Sequence, residues 1–137
     1  MSKLDPHEAL IYLMVITSAV DREMTDVELA RIGNVVKTWP IFQDFEEWKL
    51  IRVAQDCQER LQAKEGLASV LSTVSETLPE RLHDTAYAAA FEVAAVDLEM
   101  RMEEVRVLEL IRDALSLDRQ TVDAIERATK ARHRTLT

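Results

Sequence analysis

Ala19-Val20-Asp21-Arg22-Glu23-Met24-Thr25-Asp26-Val27-Glu28 returns later in the chain as Ala95-Val96-Asp97-Leu98-Glu99-Met100-Arg101-Met102-Glu103-Glu104. Six of the ten positions match, at a constant offset of 76 residues. The shared pattern is A-V-D-x-E-M-x-x-x-E, so its acids fall at the same places: Asp21, Glu23 and Glu28, then Asp97, Glu99 and Glu104. Each copy follows a long apolar run and opens an amphipathic one. This predicts two related helix–acidic turn–helix units, spanning about 6–38 and 79–115, with an internal pseudo-two-fold relation.

The rest of the composition agrees with helices. The 137 residues suit one domain with a proper core, and 47% of them are apolar. Two Gly and three Pro leave little material for hairpins, and no segment alternates as a strand would. An all-α, single compact bundle of about seven helices follows. The net charge of -8 argues against nucleic acid, because phosphate backbones demand a basic face. It suits a cation or a basic partner. The lone Cys57 permits no intrachain disulfide and falls on an apolar seam, which fits packing and a reducing cytoplasm. The longest apolar run, Ala9 to Val20, has 12 residues, too short for a membrane span, and the acids before it do not suit a signal peptide.

Taken in order, Asp5-Pro6-His7-Glu8 is a capping start for a first helix over Pro6–Arg22, apolar nearly all round and therefore central. Thr25-Asp26-Val27-Glu28 is a capping box that opens a second helix, ended by Trp39-Pro40. A third helix over Phe45–Lys64 has the seam Leu50, Ala54, Cys57 and Leu61, with Gly66 as its stop. A fourth ends near Thr77, and Thr77-Leu78-Pro79-Glu80 predicts another capping box for a fifth helix running to Glu99. That fifth helix is Ala-rich and should lie against the first. A sixth, Met102–Leu115, is predicted to point Val105, Leu108, Ile111 and Leu115 inward, and a seventh covers Arg119–His133. Its basic end, with Arg127, Lys130, Arg132 and Arg134, favours the helix dipole and reads as solvated.

The acidic corners carry the chemistry. Asp21 and Asp97 fall at helix ends, where outward carbonyls already make the surroundings negative, a misplacement of roughly 0.3–1 kcal/mol unless something positive compensates. The acid two residues on lies in the turn, and the one seven on lies in the next helix's first turn. Three converging carboxylates need a counter-ion or a proton. A hard divalent cation (Ca²⁺, Mg²⁺ or Mn²⁺) answers that need, and the absence of nearby His or Cys argues against Zn²⁺. The spacing is not an EF-hand, whose loop has D-x-D-x-D-G and a Glu at position 12. Three plainer readings stand beside a cation site. Glu28 is already explained as the capping partner of Thr25, although in the second copy Arg101 replaces the threonine and no box is expected for Glu104. Arg22 or Arg101 could neutralise the acids as surface ion pairs. Duplication alone could have preserved the letters.

With these residues in place, the chain from about Pro6 to His133 resembles the TerB-like domain of tellurite-resistance proteins, relatives of which occur beside DnaJ modules. The family pattern is an Ala-Asp-Gly-like turn with an acid two residues after the Asp and a Glu seven after it. Both copies match the acids, and both lack the Gly, carrying Arg22 and Leu98 instead. The resemblance implies one TerB-like helical domain over 1–137, a cytoplasmic or membrane-peripheral location, and metal binding in stress-response complexes. Protein partners are expected, and a homodimer is among the candidates.

The function expected first is a non-enzymatic metal-binding or metal-sensing module; the alternative is a metal-independent interaction or oligomerisation scaffold. The aromatics Trp39, Phe42, Phe45 and Trp48 crowd one loop, a placement commoner in a helix junction than in a docking patch. Catalysis has little support. Glu80-Arg-Leu-His83 has the E-x-x-H spacing of di-iron bundles, but those need two such motifs and further glutamates. His7 and His133 lie near the ends without sequence partners, and no phosphate loop or nucleophile elbow is present.

Overall fold

The computed structural model describes residues 4–20, 22–95 and 100–137. Among them are seven α-helices and no strand: α1 (Pro6–Ala19), α2 (Asp26–Thr38), α3 (Leu50–Leu61), α4 (Gly66–Thr77), α5 (His83–Ala95), α6 (Met102–Ala114) and α7 (Arg119–Arg132). Short 3₁₀ turns at Pro40–Phe42 and Glu47–Lys49 lie in the connection from α2 to α3, and another at Glu80–Leu82 lies between α4 and α5.

Helix α1 starts where its cap predicts. Glu8 N–H donates to Asp5 Oδ1 at 2.8 Å, and Asp5 N–H donates to Glu8 Oε1 at 2.9 Å. From Ala9 to Ile16 no residue is more than 1% exposed. A helix without a polar face must be covered on all sides. Accordingly α5, α3, α4, α6 and α2 all pack on it, and α7 packs on α5. Ala86, Ala89, Ala90 and Ala94 are buried on α5, and their small side chains let that helix come closest.

Polar ties hold α7 in place. Tyr87 on α5 donates its hydroxyl to Glu126 Oε2, which also accepts from Arg112 Nη1 of α6 at 3.2 Å. Glu92 on α5 accepts from Arg132 Nη2 at 2.8 Å and lies 2.6 Å from His133 Nε2. The basic end is therefore only partly the solvated tip that charge alone suggested. Arg127, Lys130 and Arg134 are exposed, whereas Arg132 fastens α7 to α5.

Several boundaries differ from expectation. Helix α1 ends at Ala19 rather than Arg22, because Arg22 turns back to cap it. Helix α3 starts at Leu50 rather than Phe45, after the 3₁₀ turn. Gly66 does not stop α3. Glu65 takes the left-handed conformation (φ 56°), and Gly66 is the first residue of α4. The glycine is needed for space: a Cβ there would lie 2.5 Å from the carbonyl oxygens of Arg60 and Leu61. The capping box at Thr77 does not form, since the Thr77 hydroxyl donates back to Thr73 O at 2.7 Å. The fifth helix is described to Ala95, and its expected end at Glu99 lies outside the described residues. On α6 the inward set is Glu104, Val107, Leu108 and Ile111, followed by Leu115, while Val105 is 38% exposed. A buried acid thus heads the core stripe, displacing the apolar register by one residue. Among the aromatics, Phe42 is buried, Phe45 packs edge-on to it, and Trp48 is 71% exposed.

Two glycine substitutions test this packing. Gly66→Ala should destabilise the chain by about 1–3 kcal/mol, because backbone rather than a flexible side chain blocks the methyl. Gly33→Ala meets only Leu50 Cδ2 at 3.8 Å in mid-helix. It should stabilise by roughly 0.5–1 kcal/mol through helix propensity. Urea melts of both variants give these values, and equal destabilisation by the two would contradict them.

Candidate functional site

The first copy of the motif joins α1 to α2, and the second joins α5 to α6. Of the six acids it supplies, Glu23, Glu28 and Glu104 lie within the described residues, whereas Asp21, Asp97 and Glu99 lie outside them. The described members of the first triplet do not meet. Glu23 is exposed and lines a cleft of about 680 Å³ against Gln55, Gln58 and Glu59 of α3. Glu28 does not line that cleft. Among the described residues, no three His, Cys, Asp or Glu side chains gather as a metal cluster.

Glu28 is tightly held. Its N–H donates to the Thr25 hydroxyl at 3.1 Å, and its Oε1 accepts from Thr25 N–H at 2.9 Å, so the predicted capping box forms. The Arg22 guanidinium donates through Nη1 to Oε1 at 3.0 Å and through Nη2 to Oε2 at 2.6 Å. It also donates to Ser18 O and Glu23 O, each at 3.1 Å. The side chains of Arg22 and Glu28 are 35% and 13% exposed, so this is a half-buried forked pair rather than a loose surface contact. Gln58 Nε2 donates to Arg22 O at 3.1 Å and fastens the turn to α3.

The second corner has different chemistry. Glu104 is 7% exposed. Its Oε1 accepts from Arg101 N–H at 3.1 Å and, weakly, from Arg101 Nε at 3.4 Å. No capping box was expected here, but half of one exists. The glutamate caps the backbone, and an arginine side chain has no acceptor with which to return the bond. Oε2 has no hydrogen-bond partner among the described residues. Glu104 lines a cleft of about 220 Å³ between the two corners, shared with Thr17, Ser18, Arg22, Arg101 and Glu103. Sequence reading missed the cleft; it named Arg22 as a possible partner of the acids, but as a surface ion pair rather than this half-buried fork. The signal available was the contrast between Arg22 and Leu98 at matched positions.

The other residues singled out have structural partners. His83 sits between Leu115 O at 3.0 Å and Leu78 O at 3.1 Å, bracing a helix junction, while Glu80 is exposed. His7 stacks on Phe42 and lies 2.8 Å from Ile41 O. Burial pushes the Cys57 thiol up to about 12, which leaves it inert near neutral pH.

Burial by itself would raise the Glu28 carboxyl, but the hydrogen bonds from Arg22 and Thr25 outweigh it and bring the group from 4.5 down to about 2. A folded value below the unfolded one means that this contribution is complete above about pH 4.5 and fades as pH falls toward 2. Glu28→Gln keeps the cap acceptor and removes the charge. At neutral pH it should cost about 1 kcal/mol, the strength of a charged hydrogen bond discounted for the exposure of Arg22. Urea melts of the two proteins should converge near pH 2, and a gap that persists there would contradict the assignment.

A family model described as Tellurite resistance protein TerB matches residues 7–127. Comparison with curated proteins gives no match, and neither does comparison with solved structures. The matched span runs from the first turn of α1 into α7 and takes in both acidic corners. It covers most of the 137 residues, and the chain belongs to the TerB family of tellurite resistance proteins.

Proposed function

We propose that this TerB-family chain is a non-enzymatic module that binds a divalent cation at its acidic corners and passes the bound state to protein partners. The observation that carries the proposal is Glu104, a carboxylate in the core stripe of α6 whose Oε2 has no described partner and which lines the cleft between the corners. A carboxylate has more acceptor capacity than the two Arg101 contacts use, which leaves room for a further ligand. Its donors are oxygens, which suit Ca²⁺, Mg²⁺ or Mn²⁺. Asp97 and Glu99 precede it in the same motif and are the further ligands we assign, with Asp21, Glu23 and Glu28 as their counterparts in the first copy. The net charge of -8 favours attraction of cations. No helix among the described residues is long and apolar enough to cross a membrane. We place the protein in the cytoplasm, in keeping with its unpaired cysteine.

A second reading has its own observation. Trp48 and Ile51 are 71% and 56% exposed and flank a groove beside α2, as a metal-independent docking or dimerisation face would be.

Calorimetric titration with Mn²⁺ and Ca²⁺ separates the two. The cation reading expects saturable binding that weakens at least about tenfold in Glu104→Gln, the loss of roughly one charged ligand bond. Absence of saturable heat with every cation would remove it. Light scattering with and without EDTA, at two protein concentrations, tests the scaffold. A dimer that is indifferent to EDTA and is lost in Trp48→Ala would favour docking over metal.

A further inference from the structure

Between Trp48 and Ile51 on one side and α2 on the other lies a groove of about 670 Å³. The indole of Trp48 is held in place: its Nε1–H donates to Glu46 Oε2 at 2.6 Å, and Lys49 Nζ lies 5.5 Å from the ring centre. With its one polar atom satisfied, what the ring still offers is apolar surface. Along α2 the groove is lined at Asp26, Ala30, Gly33 and Lys37, in steps of four, three and four residues. That spacing keeps all four on one narrow stripe, away from the buried Ile32, Val35 and Val36.

The stripe carries an acid at one end, a base at the other and two small residues between. Reversed end for end, that order is its own complement. A two-fold axis passing between Arg31 and Ile32 sets Asp26 of each copy against Lys37 of the other, and Ala30 against Gly33. We propose that α2 pairs antiparallel with α2 of a second copy of this chain, the groove closing over the crossing. This names the occupant of the docking face described above and rests on that reading. Small residues at the centre let the two axes approach to the short end of the range for packed helices, about 8 Å. A parallel pairing would set acid against acid and base against base, so the charges select one alignment. Lys37 already lies 3.4 Å from Glu47, but both side chains are more than half exposed and the contact is weak. An ammonium has three donors and can keep Glu47 while meeting Asp26 of the second copy. Each charge also favours the dipole of its own helix. That accounts for their signs, but not for the small residues between them or for an indole left 71% exposed beside them.

Sedimentation of the full-length chain at two concentrations tests the pairing. Wild type should form a dimer that EDTA does not dissociate. Asp26→Lys and Lys37→Asp should each weaken self-association by at least about tenfold, because the axis uses every substitution twice. An equimolar mixture of the two variants should associate again, and Asp26→Lys/Lys37→Asp in one chain should restore the homodimer. Both recoveries require folded variants. A dimer that survives both single charge changes overturns the antiparallel pairing, as does loss in each variant without recovery in the mixture; either leaves the docking face in place. A wild-type monomer at both concentrations overturns a second copy as the occupant. A dimer unaffected by Trp48→Ala removes the docking reading of the groove itself.

Discussion

The arrangement depends on a helix that cannot face water. Eight consecutive residues of α1, Ala9 to Ile16, are at most 1% exposed, and no rotation of α1 could offer a polar side to solvent. Each large side chain among them gains roughly 1.5–3 kcal/mol from burial, provided that neighbours close the full circumference. That requirement recruits α3, α4, α5 and α6 as a sheath. It also explains the alanines of α5, since the closest neighbour of a bulky helix has to be thin.

Such a helix creates a second problem at its end. Its last carbonyls emerge beside the apolar sheath, where water is scarce and the dipole is negative. The chain meets this at the first corner with Arg22, which reaches back to Ser18 O while gripping Glu28. The acidic turn is therefore also a mechanical joint. It links the last turn of α1 to the first turn of α2, and Gln58 ties the same turn to α3. A change of charge at this corner therefore has a direct route to helix packing.

The parts of this fold legible in sequence were those set by neighbours a few residues apart. The boxes at Asp5 and Thr25, the break before Pro40 and the wholly buried α1 follow from local patterns. The failures came where the deciding partner was distant or the same residue type had two uses. Gly66 has the look of a helix stop, but its lack of a side chain serves the approach of α3 carbonyls. Thr77 offered a cap and spent its hydroxyl on Thr73 instead. Val105 fitted the apolar period of α6 until an acid, Glu104, claimed the inward position. At the site, the positions of the acids were plain from the repeat. Which of them would be taken by an arginine was not, because sequence gives charges without the distances between them.

Cys57 adds a practical property. Its sulfur is fully enclosed on the inner seam of α3, 3.8 Å from Tyr12 O of the central helix. A thiol in that place can meet an alkylating reagent only when α3 lifts from α1, and it ionises poorly until it does. The molecule thus carries its own clock for breathing of the core, readable by mass without any added label.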